Sequence, residues 1–217
     1  SAFSIGTLNS IGFAAGWFVV IGLNATGTAA LVLRSQDGVT WAAAATPPVD
    51  PAGVDLFYTL AYGNGRWVST VLGFANSRSS ISTDNGNTWT TYSTAPAGLL
   101  NAQVLCFGNG TFVAPVPNAI LTSPDGQNWT TVNFNSFPPT ISWRFVAFGN
   151  NRFVIVSEDG YVAWSEDLAT WTFTETANTD LINAQRVYFL NGIFILVRQT
   201  PGISSGPRIW TSINGTK

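Results

Sequence analysis

One short phrase recurs along the 217 residues and limits the fold more than any other feature. It reads Ser35-Gln-Asp-Gly-Val-Thr-Trp41, Ser82-Thr-Asp-Asn-Gly-Asn-Thr-Trp89, Ser123-Pro-Asp-Gly-Gln-Asn-Trp129 and Ser165-Glu-Asp-Leu-Ala-Thr-Trp171. A fifth copy is Ser212-Ile-Asn-Gly-Thr-Lys217. Successive Trp residues lie 48, 40 and 42 positions apart. A second motif precedes each phrase: Ala61-Tyr-Gly-Asn-Gly-Arg-Trp-Val68, Cys106-Phe-Gly-Asn-Gly-Thr-Phe-Val113, Ala147-Phe-Gly-Asn-Asn-Arg-Phe-Val154 and Tyr188-Phe-Leu-Asn-Gly-Ile-Phe-Ile195. The first unit keeps a worn version, Phe13-Ala-Ala-Gly-Trp-Phe-Val19. Asn-Gly supplies the positive φ angles of a tight hairpin turn, so each motif reads as two strands joined by two residues.

Each unit then divides into four strands, in the second unit near Tyr58–Tyr62, Arg66–Val71, Ser79–Ser82 and Thr88–Tyr92. Helical periodicity is absent, and Pro and Gly fall between the apolar runs. Four-stranded units repeating about every 43 residues predict an all-β, five-bladed β-propeller of antiparallel blades. The whole chain, residues 1–217, forms a single domain on this reading. The segment Ser1-Ala-Phe-Ser-Ile5 is expected to supply the outer strand of the last blade and so close the ring.

Composition removes several functions. Only 9% of residues are charged and the net charge is −2, so no basic stripe exists for nucleic acid. The apolar runs are a strand long, far short of the ~20 residues of a membrane helix. With no His and a single cysteine, Cys106, imidazole and thiolate metal sites, His bases and an intrachain disulfide are excluded. Cys106 sits in an apolar run and reads as a buried, inert thiol. No metal or cofactor is expected, and no signal-peptide pattern is present. A near-neutral, lysine-poor surface fits an extracellular or virion-associated protein.

The phrase Ser82-Thr-Asp-Asn-Gly-Asn-Thr-Trp89 resembles the Asp-box, or BNR repeat, in full, and three further copies differ by one gap or substitution. The chain therefore resembles Asp-box β-propellers, a superfamily that includes sialidases, sortilin-like receptors and lectins. The resemblance implies that Asp37, Trp41, Asp84, Trp89, Asp125, Trp129, Asp167 and Trp171 are structural residues of peripheral turns. The physics agrees: Asp can accept N–H groups of its own turn, Gly takes the left-handed position and Trp packs between blades. Leu168 stands where Gly is expected, and Asn214 where Asp is expected.

The same resemblance directs a search for glycosidase groups. No Phe/Tyr-Arg-Ile-Pro phrase is present, Arg66 and Arg152 follow peripheral turns, and the innermost strands, such as Val104-Leu-Cys-Phe107 and Val187-Tyr-Phe-Leu190, contain no carboxylate. No catalytic residue is therefore assigned, because an apolar axis cannot perform acid–base work. Ligand contacts are expected on the loops between blades. Aligned on the hairpin turns, Asn101 and Gln103 fall opposite Asn183 and Gln185, with Trp143 and Arg144 in the same slot of the intervening unit. Amides bond hydroxyls while rings stack on C–H faces, so these six residues form a candidate carbohydrate site. On that reading Trp143 is exposed beside a polar cleft; the bland alternative makes it a plug between blades. A glycan or polysaccharide is the leading ligand. Protein partners in an assembly such as a phage tail or capsid are the alternative, which expects a contiguous apolar patch on one face.

Overall fold

The computed structural model describes residues 3–49, 56–72, 78–93, 102–132, 141–174, 184–198 and 208–215. They form five antiparallel sheets whose strands follow one another in chain order, and no helix occurs among them. Blade one holds β1 (Ile5–Ala14), β2 (Trp17–Asn24), β3 (Ala30–Ser35) and β4 (Ala42–Ala43). Blade two holds β5 (Leu56–Gly63), β6 (Arg66–Leu72), β7 (Arg78–Ser82) and β8 (Thr90–Ser93). Blade three holds β9 (Cys106–Gly108), β10 (Thr111–Val116), β11 (Ala119–Ser123) and β12 (Thr130–Val132). Blade four holds β13 (Trp143–Gly149), β14 (Arg152–Ser157), β15 (Val162–Ser165) and β16 (Thr172–Phe173). Blade five shows β17 (Ala184–Leu190), β18 (Ile193–Arg198) and β19 (Arg208–Ser212) among the described residues. This is the five-bladed propeller expected from the repeat.

Inner blades are covered on both faces, which explains why their second strands read as unbroken apolar runs rather than alternating ones. Phe153, Val154, Ile155 and Val156 of β14 are all buried, as are Phe112, Val113 and Ala114 of β10. The hairpin turns place Asn64, Asn109, Asn150 and Asn191 at positive φ, each followed by Gly or Asn in the same region, as the turn chemistry requires.

Successive blades meet through a repeated contact. Phe107 of blade three lies against Gly63 of blade two, Phe148 against Gly108, and Phe189 against Gly149. Any side chain on these glycines would enter the facing ring. Between blades one and two, Tyr62 and Ala14 take the same positions and pack in a shared cluster with Trp67. Each inner ring also packs on the aromatic across its own hairpin, with centroids 4.8 Å apart for Phe107 and Phe112 and 4.6 Å for Phe148 and Phe153. Three further contacts repeat around the arc, two polar and one apolar. Asn64 Nδ2 donates to the Gly110 and Pro124 carbonyls, Asn109 Nδ2 to that of Glu166, and Asn150 Nδ2 to those of Gly192 and Ile213. Arg34, Arg66 and Arg152 donate to the carbonyls of Asp84, Asp125 and Asn214 of the next blade. Finally, the turn glycines Gly86, Gly126 and Gly215 face Val19, Val68 and Val154 of the preceding blade.

The Ser-x-Asp turns are self-contained. In the third, Ser123 Oγ donates to Asp125 Oδ1 at 2.9 Å and accepts from Gly126 N at 2.8 Å. Asp125 also accepts from the backbone N–H groups of Gln127 and Asn128, and Trp129 Nε1 closes the turn on the Gly126 carbonyl at 2.9 Å. The turns at Asp37, Asp84 and Asp167 repeat this pattern. Leu168 adopts the glycine conformation, with φ 64°. That costs roughly 1–2 kcal/mol, offset by packing of its half-buried side chain in the cluster between blades three and four.

Burial works to raise the Asp125 carboxyl, but donors from Asn128, Gln127 and Ser123 outweigh it and hold it at about 2. Asp37, held mainly by the Thr40 and Val39 N–H groups, and Asp167, held mainly by those of Thr170 and Ala169, are also lowered. So is Asp84, where burial opposes and Thr88 prevails.

The expected N-terminal closure is not what the chain does. Ile5 pairs with Asn24, and the Ser4 carbonyl accepts from Ala25 N, so the described end of this segment extends the first strand of blade one. The ladder of β1 with β2 continues back to Ile5 through two register shifts, between Leu8 and Ser10 and between Ile5 and Thr7.

Two measurements test these contacts. Gly108→Ala drives a methyl into the Phe148 ring and is expected to cost about 1–3 kcal/mol, read from urea unfolding. The carboxylates are depressed on folding, so their stabilisation is complete above the unfolded value of about 3.9 and lost as pH falls toward 2. The melting temperature should drop through that window, and Asp125→Asn should start lower and fall less.

Candidate functional site

Residues in or just before the first strands of all five blades, with Val20 of β2, line a central cavity of about 620 Å³. Its wall is formed by Leu8–Ile11 of blade one, Thr59 and Leu60 of blade two, Gln103–Cys106 of blade three, Val146–Phe148 of blade four and Arg186–Phe189 of blade five. No carboxylate occurs among these residues, and Arg186 is their one cation. Among the described residues, neither an ion pair nor a hydrogen bond engages Arg186. Cys106 also lines the wall, and burial pushes its thiol up to about 12. Among the described residues no cluster of His, Cys, Asp or Glu could hold a metal ion.

A β-bulge at one repeated position shapes the rim. The register of four of the five inner strands skips a residue, between Leu8 and Ser10, Phe57 and Thr59, Trp143 and Phe145, and Ala184 and Arg186. The extra residues are Asn9, Tyr58, Arg144 and Gln185, and Gln103 holds the corresponding place in blade three. The slot recognised in the sequence is therefore the bulge, where an unpaired residue bends the strand and redirects side chains.

The structure separates the six candidate ligand residues. Gln103 lines the cavity. Gln185 is exposed outside its lining, and Arg144 pairs with Glu158 at 2.8 Å. Trp143 is 1% exposed, packed with Val113 and Ile120 of blade three and Phe153 of blade four. The expectation that it stands free beside a polar cleft is corrected: its ladder pairing with Ser157 aims the ring between blades. Ala102 and Ala184 are buried at the same position in their blades. Asn101 and Asn183 lie outside the described residues.

The sequence reading missed two features. Arg186 sits one residue before the strand as it was read, so the cation on the wall escaped notice. The second is a cleft between blades five and one that opens beside the cavity. The strands of these two blades make no packing comparable to that of the four other neighbouring pairs. On blade one Ile11 is 63% and Phe13 62% exposed, whereas Leu60, Leu105, Val146 and Val187, equivalent to Ile11, are all buried. On blade five Tyr188 is 52% and Leu190 59% exposed. Leu190 occupies the position of Gly63, Gly108 and Gly149. It fills the seat that would receive Phe13, which is why blade one does not stack on blade five as the others stack on one another.

Comparisons with known proteins place this geometry. YCF48, solved bound to a D1 peptide, superposes with a TM-score of 0.61 at 18% identity, covering 90% of this chain and 61% of its own. Virginiamycin B lyase from Staphylococcus aureus gives 0.66 at 14%, covering 97% and 71%, and YjhT gives 0.63 at 13%, covering 90% and 73%. The chain thus spans about three-fifths of the length of the YCF48 chain. At these identities the likeness is one of fold. No curated protein matches the chain in sequence. Residues 37–190 match the model described as the DUF6242 beta propeller domain, and with well over half of its length matched the chain belongs to that family.

Proposed function

We propose that the chain is a non-enzymatic assembly module, an arc of five blades that works by protein–protein contact through the two sheet faces flanking the cleft. The observation that carries this reading is the exposure of Ile11, Phe13, Tyr188 and Leu190, at positions that pack against a neighbour elsewhere in the arc. Large apolar side chains left uncovered at packing positions mark an interaction site. The carboxylate-free wall supports a role without acid–base catalysis, and the four aspartates are engaged in their own turns. That turn geometry supports the Asp-box assignment. The near-neutral composition with a single lysine supports a virion-associated or extracellular setting. YCF48 offers a parallel, a propeller seen with a bound peptide.

Carbohydrate is the second reading. Gln103 and the exposed Tyr188 line the same cavity, and an amide beside a ring suits a sugar. The two readings separate in one pair of measurements. The assembly reading expects a hydrophobic fluorescent dye, anilinonaphthalene sulfonate, to light up on the native chain. It expects that signal to fall several-fold in the Phe13→Ser, Leu190→Ser double variant, with a glycan array silent. A native chain that leaves the dye dark, or a glycan signal abolished by Tyr188→Ala, overturns it.

A further inference from the structure

The four formed interfaces specify what a neighbour of either exposed face must carry. Toward the preceding blade, an aromatic at the end of the inner strand needs a glycine or alanine to rest on, as Phe148 rests on Gly108. Except for Ala15 of blade one, the hairpin turn residue of the preceding blade is an asparagine, whose amide reaches the next blade's turn glycine carbonyl, Ser-x-Asp turn carbonyl, or both. Its second strand sends a β-branched residue against the turn glycine, as Val68 meets Gly126.

On its free face, blade one presents Phe13 without such a seat. Its turn glycine Gly38, at φ 73°, meets only Phe18 of its own blade. On the other wall, blade five presents Leu190 where a glycine would stand, with Asn191 exposed and Arg186 without a partner among the described residues. Because Leu190 blocks Phe13, neither the chain's own blade one nor that of a second copy fits against blade five.

We infer that the cleft is the seat of a further four-stranded blade of the same repeat, continuous with this polypeptide. The inference rests on the protein-contact reading of these faces and names the occupant. Toward blade one the occupant carries glycine under Phe13, asparagine in its hairpin turn and a β-branched residue facing Gly38. Toward blade five it carries a small residue in place of the aromatic, where Leu190 stands, and an acceptor or carboxylate opposite Arg186. A covalent tether follows from the physics of repeats: a single blade cannot bury its two faces alone, and a tether holds it at an effective concentration in the millimolar range. The solved propellers leave room for such units. Virginiamycin B lyase and YjhT each carry more than a quarter of their length beyond the part this chain covers.

The test extends the chain. A second copy of residues 129–174 added after Lys217 continues the repeat in phase through a strand like β12 and the four strands of blade four, with Phe148→Ala in the copy to clear Leu190. The extended chain is expected to lose most of the dye fluorescence, melt at a higher temperature and protect the added strands from protease. The same extension with Phe148 retained is expected to dock only when combined with Leu190→Gly. Dye fluorescence that persists beside a protease-sensitive extension overturns the inference while leaving the exposed faces a recognition surface. So does a concentration-dependent dimer of the 217-residue chain, seen by sedimentation and abolished by Phe13→Asp, which would assign the cleft to a second copy. A native chain that never binds the dye removes the protein-contact reading itself.

Discussion

An aromatic ring resting on a bare glycine backbone sets the spacing of the blades. Phe107, Phe148 and Phe189 each reach across to the glycine that ends the previous inner strand, and the missing side chain lets two sheets approach closely at the axis. Everything outward follows from that approach. The valines of the second strands come to lie over the turn glycines, and the hairpin asparagines come within reach of the next blade's carbonyls. Where the glycine becomes Leu190, the sequence of contacts stops. One substitution at one repeat position thus separates a packed joint from an open face.

Among the described residues, four aspartates and four arginines hold the fold together. Four aspartates gather the N–H groups of their own turns. Arg34, Arg66 and Arg152 cap carbonyls of the following blade, Arg34 while lying over the Trp17 ring at 4.6 Å. Arg144 and Arg152 also pair with Glu158 and Glu166. Arg186 stands apart from this scheme, a cation on an apolar wall, and it is the group around which an occupant's chemistry can be sought.

Local chemistry made most of the fold legible in the sequence. A Ser-x-Asp turn bonds within six residues, and an Asn-Gly hairpin within four, so each announces itself without reference to distant parts. Strand limits in blade two fall within two residues of those read from the pattern. Non-local features were less visible. The slot shared by Gln103, Arg144 and Gln185 was found correctly as a repeat, but a bulge and a ligand site leave the same trace in sequence. Trp143 gave no sign of its direction, since one residue of register decides whether a strand side chain meets solvent or the next sheet. A strand from the N-terminal segment in the last blade presupposes a closed ring, and Leu190 in a column of small residues is the sign that blade one does not stack on blade five.

The arc also has a consequence for how its stability is distributed. Each sheet contacts only its immediate neighbours, so cohesion behaves as a one-dimensional sum of unit and nearest-neighbour terms. Blades two, three and four are held on both sides, while one and five are held on one. Local unfolding therefore begins at the two outer sheets, and amide hydrogens there exchange through openings that cost far less than global unfolding. The two walls of the cleft are, by this arithmetic, the softest parts of the molecule.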